Sequence, residues 1–193
     1  MRLAFITSAF PPQVTDLALT SALITSELAK RGHTVKVFIP DYYFSKVRSS
    51  PQVSPKLEIF PQASLPNPFD RGQFIIAAFP TELPVQIASF KPDIVYYANP
   101  QIHQFPFLGI LLAVKHIPLV IAYEPPMSSI SSFLIGTFST LARKVIVNSD
   151  PSANYLSKFG IKEKTIIIPR PKNNSKTELK SFLDKYERAF SLL

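Results

Sequence analysis

Leu3-Ala4-Phe5-Ile6 is a short apolar run, and the proline loop Ala9-Phe10-Pro11-Pro12-Gln13-Val14 follows it. Leu17 to Arg31 comes next, with Leu17, Ile24 and Leu28 recurring at helical spacing. Thr15 or Asp16, just ahead of it, is of the residue type that caps a helix N-terminus. Gly32 supplies the left-handed stop that a helix C-terminus favours. Thr34-Val35-Lys36-Val37-Phe38-Ile39 is then β-rich and ends at Pro40. This strand–helix–strand opening takes about 40 residues, the size of one parallel crossover unit.

The alternation continues outward from that unit. Asp93 to Tyr97, Leu119 to Tyr123, Lys144 to Val147 and Thr165 to Ile168 read as buried strands. Helices are predicted over Leu83 to Phe90, Phe107 to Lys115, Ile130 to Leu141, Ser152 to Phe159 (stopped by Gly160) and Lys176 to Leu192. The last of these carries Leu179, Phe182, Leu183, Tyr186 and Phe190 on one face and Lys180, Asp184 and Arg188 on the other. Residues 41–78 break the pattern. Pro51, Pro55, Pro61, Pro66, Pro68 and Pro80 crowd this region, so only Lys56 to Phe60 reads as a strand and the rest as a long loop. The expected fold is α/β, a single doubly wound domain whose mainly parallel sheet has about six or seven strands, with the final helix packed back on it.

At 193 residues, 46% apolar and 18% charged, the chain fits one globular domain and not a disordered segment. No cysteine is present, which excludes disulfides, thiolate zinc sites and cysteine nucleophiles, and is compatible with a reducing compartment. The greasiest stretch, Phe105 to Tyr123, is broken by Pro106, Lys115, His116 and Pro118, so no segment reads as a membrane span. The expected location is therefore the cytoplasm, with attachment to a membrane surface left open. Net charge is +8, and residues 151–193 hold nine Lys/Arg against four Asp/Glu. That surplus points to a phosphate-bearing partner or an anionic membrane surface, or else to a solvated helix face.

Parallel sheets of this kind bind ligands beyond the carboxyl ends of their strands. The residues there are Ser8, Asp16, Asn99, Tyr123, Glu124, Asn148, Ser149 and Arg170. Glu124 follows five apolar residues and precedes Pro125-Pro126, where a carboxylate could act as a general base, bind sugar hydroxyls or simply face solvent. Asp16 and Ser149 are equally suited to capping the helices they precede. The loop after the first strand has no glycine, which argues against a dinucleotide or P-loop site, and no G-x-S-x-G elbow occurs. His33, His103 and His116 are too scattered for a local zinc motif, so no metal and no cofactor are expected. His33, just after a helix stop, reads as structural.

Six phrases in order resemble a known family: Met1 to Ile6 with Phe10-Pro11-Pro12, Leu28 to Val37, Phe90 to Val95, Lys115 to Ile121, Ala142 to Ser149 with Leu156 to Gly160, and Lys164 to Pro169. Together they resemble the N-terminal, acceptor-side Rossmann-like domain of family 4 retaining glycosyltransferases of the GT-B fold. The resemblance covers residues 1–170 and implies that 171–193 are a basic linker and closing helix. It also implies a second domain that binds the nucleotide-sugar donor, with transfer in the cleft between the two.

This chain departs from that pattern in ways that bear on function. Thr15-Asp16 stands where the family usually has Gly-Gly, Glu124 and Tyr97-Ala98-Asn99 where histidines are common, and Arg170-Pro171 where Asn-Gly follows the exit proline. No two glutamates are eight apart, so the donor-binding Glu-x7-Glu pair is missing, and only the stretch Arg170 to Lys176 separates the exit from the closing helix. The expected function is an acceptor-side half that needs a separate donor-binding chain. Glu124 is then the candidate catalytic residue, and Asp16, Asn99, Tyr123, Ser149 and Arg170 are the candidates for binding substrate. The alternative is a non-catalytic module for a glycan, lipid or protein; an unrelated flavodoxin-like nucleotide binder is disfavoured by the missing phosphate loop. The expected partners are a donor-binding subunit, a glycan or lipid-linked acceptor and an anionic membrane surface, with no nucleic acid.

Overall fold

The computed structural model describes residues 1–41, 55–66, 74–76, 82–99, 116–123, 136, 139–171 and 175–191, with 74–76 and 176 as backbone only. Seven strands form one parallel sheet: β1 (Arg2–Thr7), β2 (Thr34–Pro40), β3 (Leu57–Gln62), β6 (Ile94–Ala98), β7 (Leu119–Tyr123), β8 (Lys144–Val147) and β9 (Thr165–Ile167). Their spatial order is β3-β2-β1-β6-β7-β8-β9. Strand order reverses between β1 and β6, which pair in parallel from Leu3 opposite Ile94 to Thr7 opposite Ala98. That reversal opens a crevice at the carboxyl ends of the two strands.

One part of the sequence reading needs correcting. The proline-rich region is not all loop beyond its strand, because β4 (Ser64–Pro66) and β5 (Phe74–Ile76) pair as an antiparallel ribbon. Three residues per strand carry too little periodicity to be read against four neighbouring prolines. The predicted helix over Phe107 to Lys115 lies outside the described residues. So does most of Ile130 to Leu141, of which Ser139–Leu141 is a 3-10 turn.

Alternation along each strand divides the core into two layers. Leu3, Phe5, Val35, Val37, Ile94, Tyr96 and Val120 face one side, against Ile24 and Leu28 of α1 (Asp16–Lys30). Ala4, Ile6, Val95, Tyr97, Ile121 and Val145 face the other, against Leu83, Ile87 and Phe90 of α2 (Leu83–Phe90) and Leu156 of α3 (Asp150–Ser157). Gly32 (φ +97°) ends the first helical segment, and Gly160 (φ +72°) follows α3, both in the left-handed region that glycine tolerates.

The final helix, α4 (Lys176–Ser191), joins α1 on the first face. Phe182, Leu183, Tyr186 and Phe190 are buried, and Lys180, Asp184 and Arg188 are exposed, as the apolar spacing predicts. Tyr96 is the anchor. Its ring centroid lies 5.7 Å from Phe190, 6.0 Å from Tyr186 and 4.6 Å from Phe5, and its hydroxyl donates to Tyr186 Oη at 3.4 Å. Burying four large side chains contributes roughly 6–12 kcal/mol at 1.5–3 kcal/mol each. That is the size of a whole domain's net stability, about 5–15 kcal/mol.

A polar clamp fixes the helix's register from its outer side. Glu187 accepts from Arg31 Nη1 at 2.6 Å and from His33 Nε2 at 2.9 Å, while Asp184 accepts from the same Arg31 nitrogen at 2.7 Å. A carboxylate only accepts, so the His33 proton facing it sits on Nε2. His33 therefore has the structural role its position after the helix stop suggests. The His33 hydrogen bond, followed by the one from Arg31, holds the Glu187 carboxyl below its ordinary value.

Two outcomes follow. Truncation after Asn174 removes the part of one sheet face's cover that α1 does not supply, and the truncated chain is expected to be lost from the soluble fraction or to melt well below the full chain. The depressed Glu187 carboxyl contributes stability above its unfolded value of 4.5, and this is lost as pH falls through the lower folded value. Glu187→Gln should therefore flatten the acid limb of a melting-temperature profile below about pH 4.5, where linkage makes stability depend on this group.

Candidate functional site

The carboxyl ends of β1, β6, β7, β8 and β9 share one rim of the sheet. At the end of β1 the chain turns on its own side chains. Thr7 Oγ1 accepts from Ala9 N at 3.3 Å, donates to Ala9 O at 3.0 Å, and lies 3.3 Å from Ser21 Oγ on α1. Gln13 Oε1 accepts from Phe10 N at 3.3 Å, and Gln13 N donates to Phe10 O at 3.1 Å. Thr15, and not Asp16, caps α1, its Oγ1 accepting from Ala18 N at 3.1 Å. Four N–H groups between Ala9 and Ala18 thus already have acceptors. A phosphate bound here would find these donors occupied.

Asp16 is the first helical residue and is mostly exposed, at 86%. Its carboxylate lies 3.1 Å from Arg170 Nη1, so the structure brings together two of the predicted site residues from 154 positions apart. Their pair borders a cavity of about 270 Å³ whose walls include Leu19, Thr20, Leu23 and Phe182. The cavity lies between α1 and the closing helix, on the outer side of the rim.

Asn99 sits in the crevice where strand order reverses. Its backbone N donates to Ala122 O at 2.8 Å, tying the end of β6 to β7, and its φ is +52°. Asparagine is one of the few side-chain-bearing residues that enter this region readily. Its Oδ1 is buried and has no hydrogen-bond partner among the described residues. A buried carbonyl oxygen without a donor is costly, at about 1–3 kcal/mol, unless a ligand or water supplies one.

The other predicted residues are placed differently. Tyr123 ends β7 but is 1% exposed, its ring stacked on Tyr155 at 6.5 Å on the α3 side of the sheet. Ser149 is half-buried at the start of α3; its Oγ meets Ser152 Oγ at 2.8 Å and makes no cap bond to the helix backbone. Glu124 lies outside the described residues. Sequence reasoning missed Thr7 and Gln13, which close the first loop. A threonine ending a strand and a glutamine three residues after Phe10 are the signals that could have found them.

Comparison with known proteins supplies a frame for this geometry. The model of the family described as Glycosyltransferase Family 4 matches residues 22–173. No curated protein matches the chain in sequence. Among solved structures, Anabaena HepE in complex with UDP and glucose is similar at a TM-score of 0.60 and 16% identity, over 98% of this chain and 51% of that one. Sucrose-phosphate synthase from Thermosynechococcus elongatus gives 0.60 and 13%, over 89% of this chain and 48% of that one. The UDP-N-acetylglucosamine 2-epimerase from Rickettsia bellii gives 0.59 and 11%, over 97% and 48%. The chain spans about half the length of these structures, and at such identities the likeness is one of fold.

The Asn99 backbone makes a stability test possible at the centre of the crevice. Asn99→Gly should leave thermal melting nearly unchanged, because glycine keeps the left-handed conformation. Asn99→Val should cost about 1–2 kcal/mol, the penalty of a β-branched side chain in a region that asparagine tolerates. Equal melting temperatures for the two variants would count against the backbone constraint.

Proposed function

The chain belongs to glycosyltransferase family 4, and from that premise we propose that it is the acceptor-side half of a GT-B enzyme, working with a donor-binding half supplied by another chain. One observation carries the reading. The loop that would have to approach a donor diphosphate, Ala9 to Thr15, has its N–H groups at Ala9 and Phe10 bonded to Thr7 and Gln13, and the cap donor at Ala18 bonded to Thr15. Asp16 adds a negative charge at the same helix end, where its Arg170 partner is already engaged. With the Ala9, Phe10 and Ala18 N–H groups already bonded, this loop has fewer donors for a diphosphate, and the Asp16 carboxylate adds a like charge at the same helix end.

What the rim does offer suits hydroxyls. Asn99 Oδ1 is an acceptor buried at the crevice, and Ser149 stands two strands further along at the same edge. Such groups bind a polyol acceptor, a glycan or the sugar of a lipid-linked glycan, by neutral hydrogen bonds. In this reading Glu124 supplies the carboxylate beside the acceptor hydroxyl, as its position after β7 suggests. Only residues 168–175 lie between β9 and the closing helix, so no second domain is inserted at the place where GT-B enzymes carry one. The cysteine-free composition fits action in the cytoplasm.

Calorimetry on the purified chain tests this. UDP- and GDP-sugars are expected to bind weakly or not at all, with no turnover by the chain alone and transfer appearing only when a donor-binding chain is added. Micromolar binding of a nucleotide-sugar, with release of nucleotide, would overturn the reading.

A further inference from the structure

The end of the sheet opposite the crevice carries a different surface. Lys144 opens β8, and Val145 pairs with Thr165 of β9, so Lys164 lies across from Lys144. Lys164 Nζ donates to Thr140 O at 2.8 Å, which brings the Ser139–Leu141 turn alongside. Arg143 N donates to Leu119 O at 2.8 Å, placing Arg143 at the foot of β7. Lys158 and Lys162 flank Gly160 at the C-terminal end of α3 and the turn that follows it. Five cations thus gather at one rim, with Glu163 the neighbouring acid, and none of the five is in a salt bridge with another described residue. Elsewhere Lys30, Arg31, Lys36 and Arg170 each have a carboxylate partner. Beside Arg143 and Lys144, Leu141 is 44% exposed, although it is large and apolar.

We propose that this rim, formed by the amino ends of β7, β8 and β9, docks on an anionic phospholipid bilayer. Lysines and one arginine at this edge meet headgroup phosphates, and the exposed leucine enters the interface between them. Nucleic acid fits less well. A single strand would want exposed rings to stack on, whereas Tyr155 and Phe159 pack on each other and against the core. The chain lacks tryptophan, which makes the contact directly readable.

Co-sedimentation of the full chain tests the proposal, with vesicles of phosphatidylcholine alone and of phosphatidylcholine mixed equally with phosphatidylglycerol. Binding is expected on the mixed vesicles and not on the neutral ones, and it should weaken as salt shortens the Debye length from about 10 Å at 0.1 M to about 3 Å at 1 M. Arg143→Glu with Lys162→Glu should lower the partition coefficient at least about tenfold, since each basic residue near such a surface contributes about fivefold. Lys180→Glu with Lys185→Glu, on the closing helix, makes the same change in net charge and should cost less than about threefold if the rim is the contact. Leu141→Trp leaves every charge in place, and its emission should shift to the blue on mixed vesicles alone. Equal loss from both charge-reversed pairs, an unshifted Leu141→Trp emission, or binding to duplex DNA without binding to vesicles would overturn the proposal. Because no nucleotide-sugar enters this experiment, its result is independent of the acceptor-side reading.

Discussion

A parallel sheet that is apolar on both faces must be covered twice, and among the described residues α1 and the closing helix share one of those faces. α2 and α3 lie against Tyr97, Ile121 and Val145, whereas α1 lies on the opposite side against Val35 and Val37. The region of that side over β6 and β7 is closed by α4, through the packing of Tyr186 and Phe190 on Tyr96. Tyr96 belongs to β6, the strand beside the reversal in strand order, so this contact holds the sheet together at the line where the crevice opens. The Arg31–Glu187–His33 clamp then decides where along the helix the packing stops.

The same economy of partners shapes the rim above. A helix N-terminus preceded by glycines leaves its N–H groups for a ligand. Here Thr7, Gln13 and Thr15 fill those acceptor roles from within the chain, and Asp16 and Arg170 neutralise one another beside them. The loop gains local order and has fewer N–H groups to offer an anion. Among the described rim residues the carbonyl oxygen of Asn99 is buried without a hydrogen-bond partner, and it is a group that accepts from a donor and repels phosphate.

The legibility of these features tracks their range. β1, α1 and β2 could be read because period, cap and Gly32 agree within about 40 residues, the span of one crossover. The buried strands Ile94–Ala98 and Leu119–Tyr123 stood out as unbroken apolar runs. β4 and β5 did not, being three residues each among prolines. Asn99 was legible as a strand-end residue, but its positive φ and its buried oxygen were not, since both depend on β7 lying alongside. Arg31 and Glu187, 156 residues apart, carry no local sign that they meet. A lone pair of opposite charges at that separation is indistinguishable from solvated surface.

The two ends of the sheet are electrically separate, and this limits what the net charge of +8 says about the crevice. β7 and β8 are five and four residues long, so at about 3.3 Å per residue the basic rim stands roughly 15 Å from the carboxyl edge. That exceeds the Debye length of about 8 Å at physiological ionic strength. Arg143, Lys144, Lys158, Lys162 and Lys164 therefore act on whatever meets their own rim and contribute little to the potential at Asn99. The charge at the crevice is set locally, by groups such as the Asp16–Arg170 pair and Asp150 at the start of α3. The net charge of the whole sequence is therefore no guide to the charge that a ligand meets at the crevice.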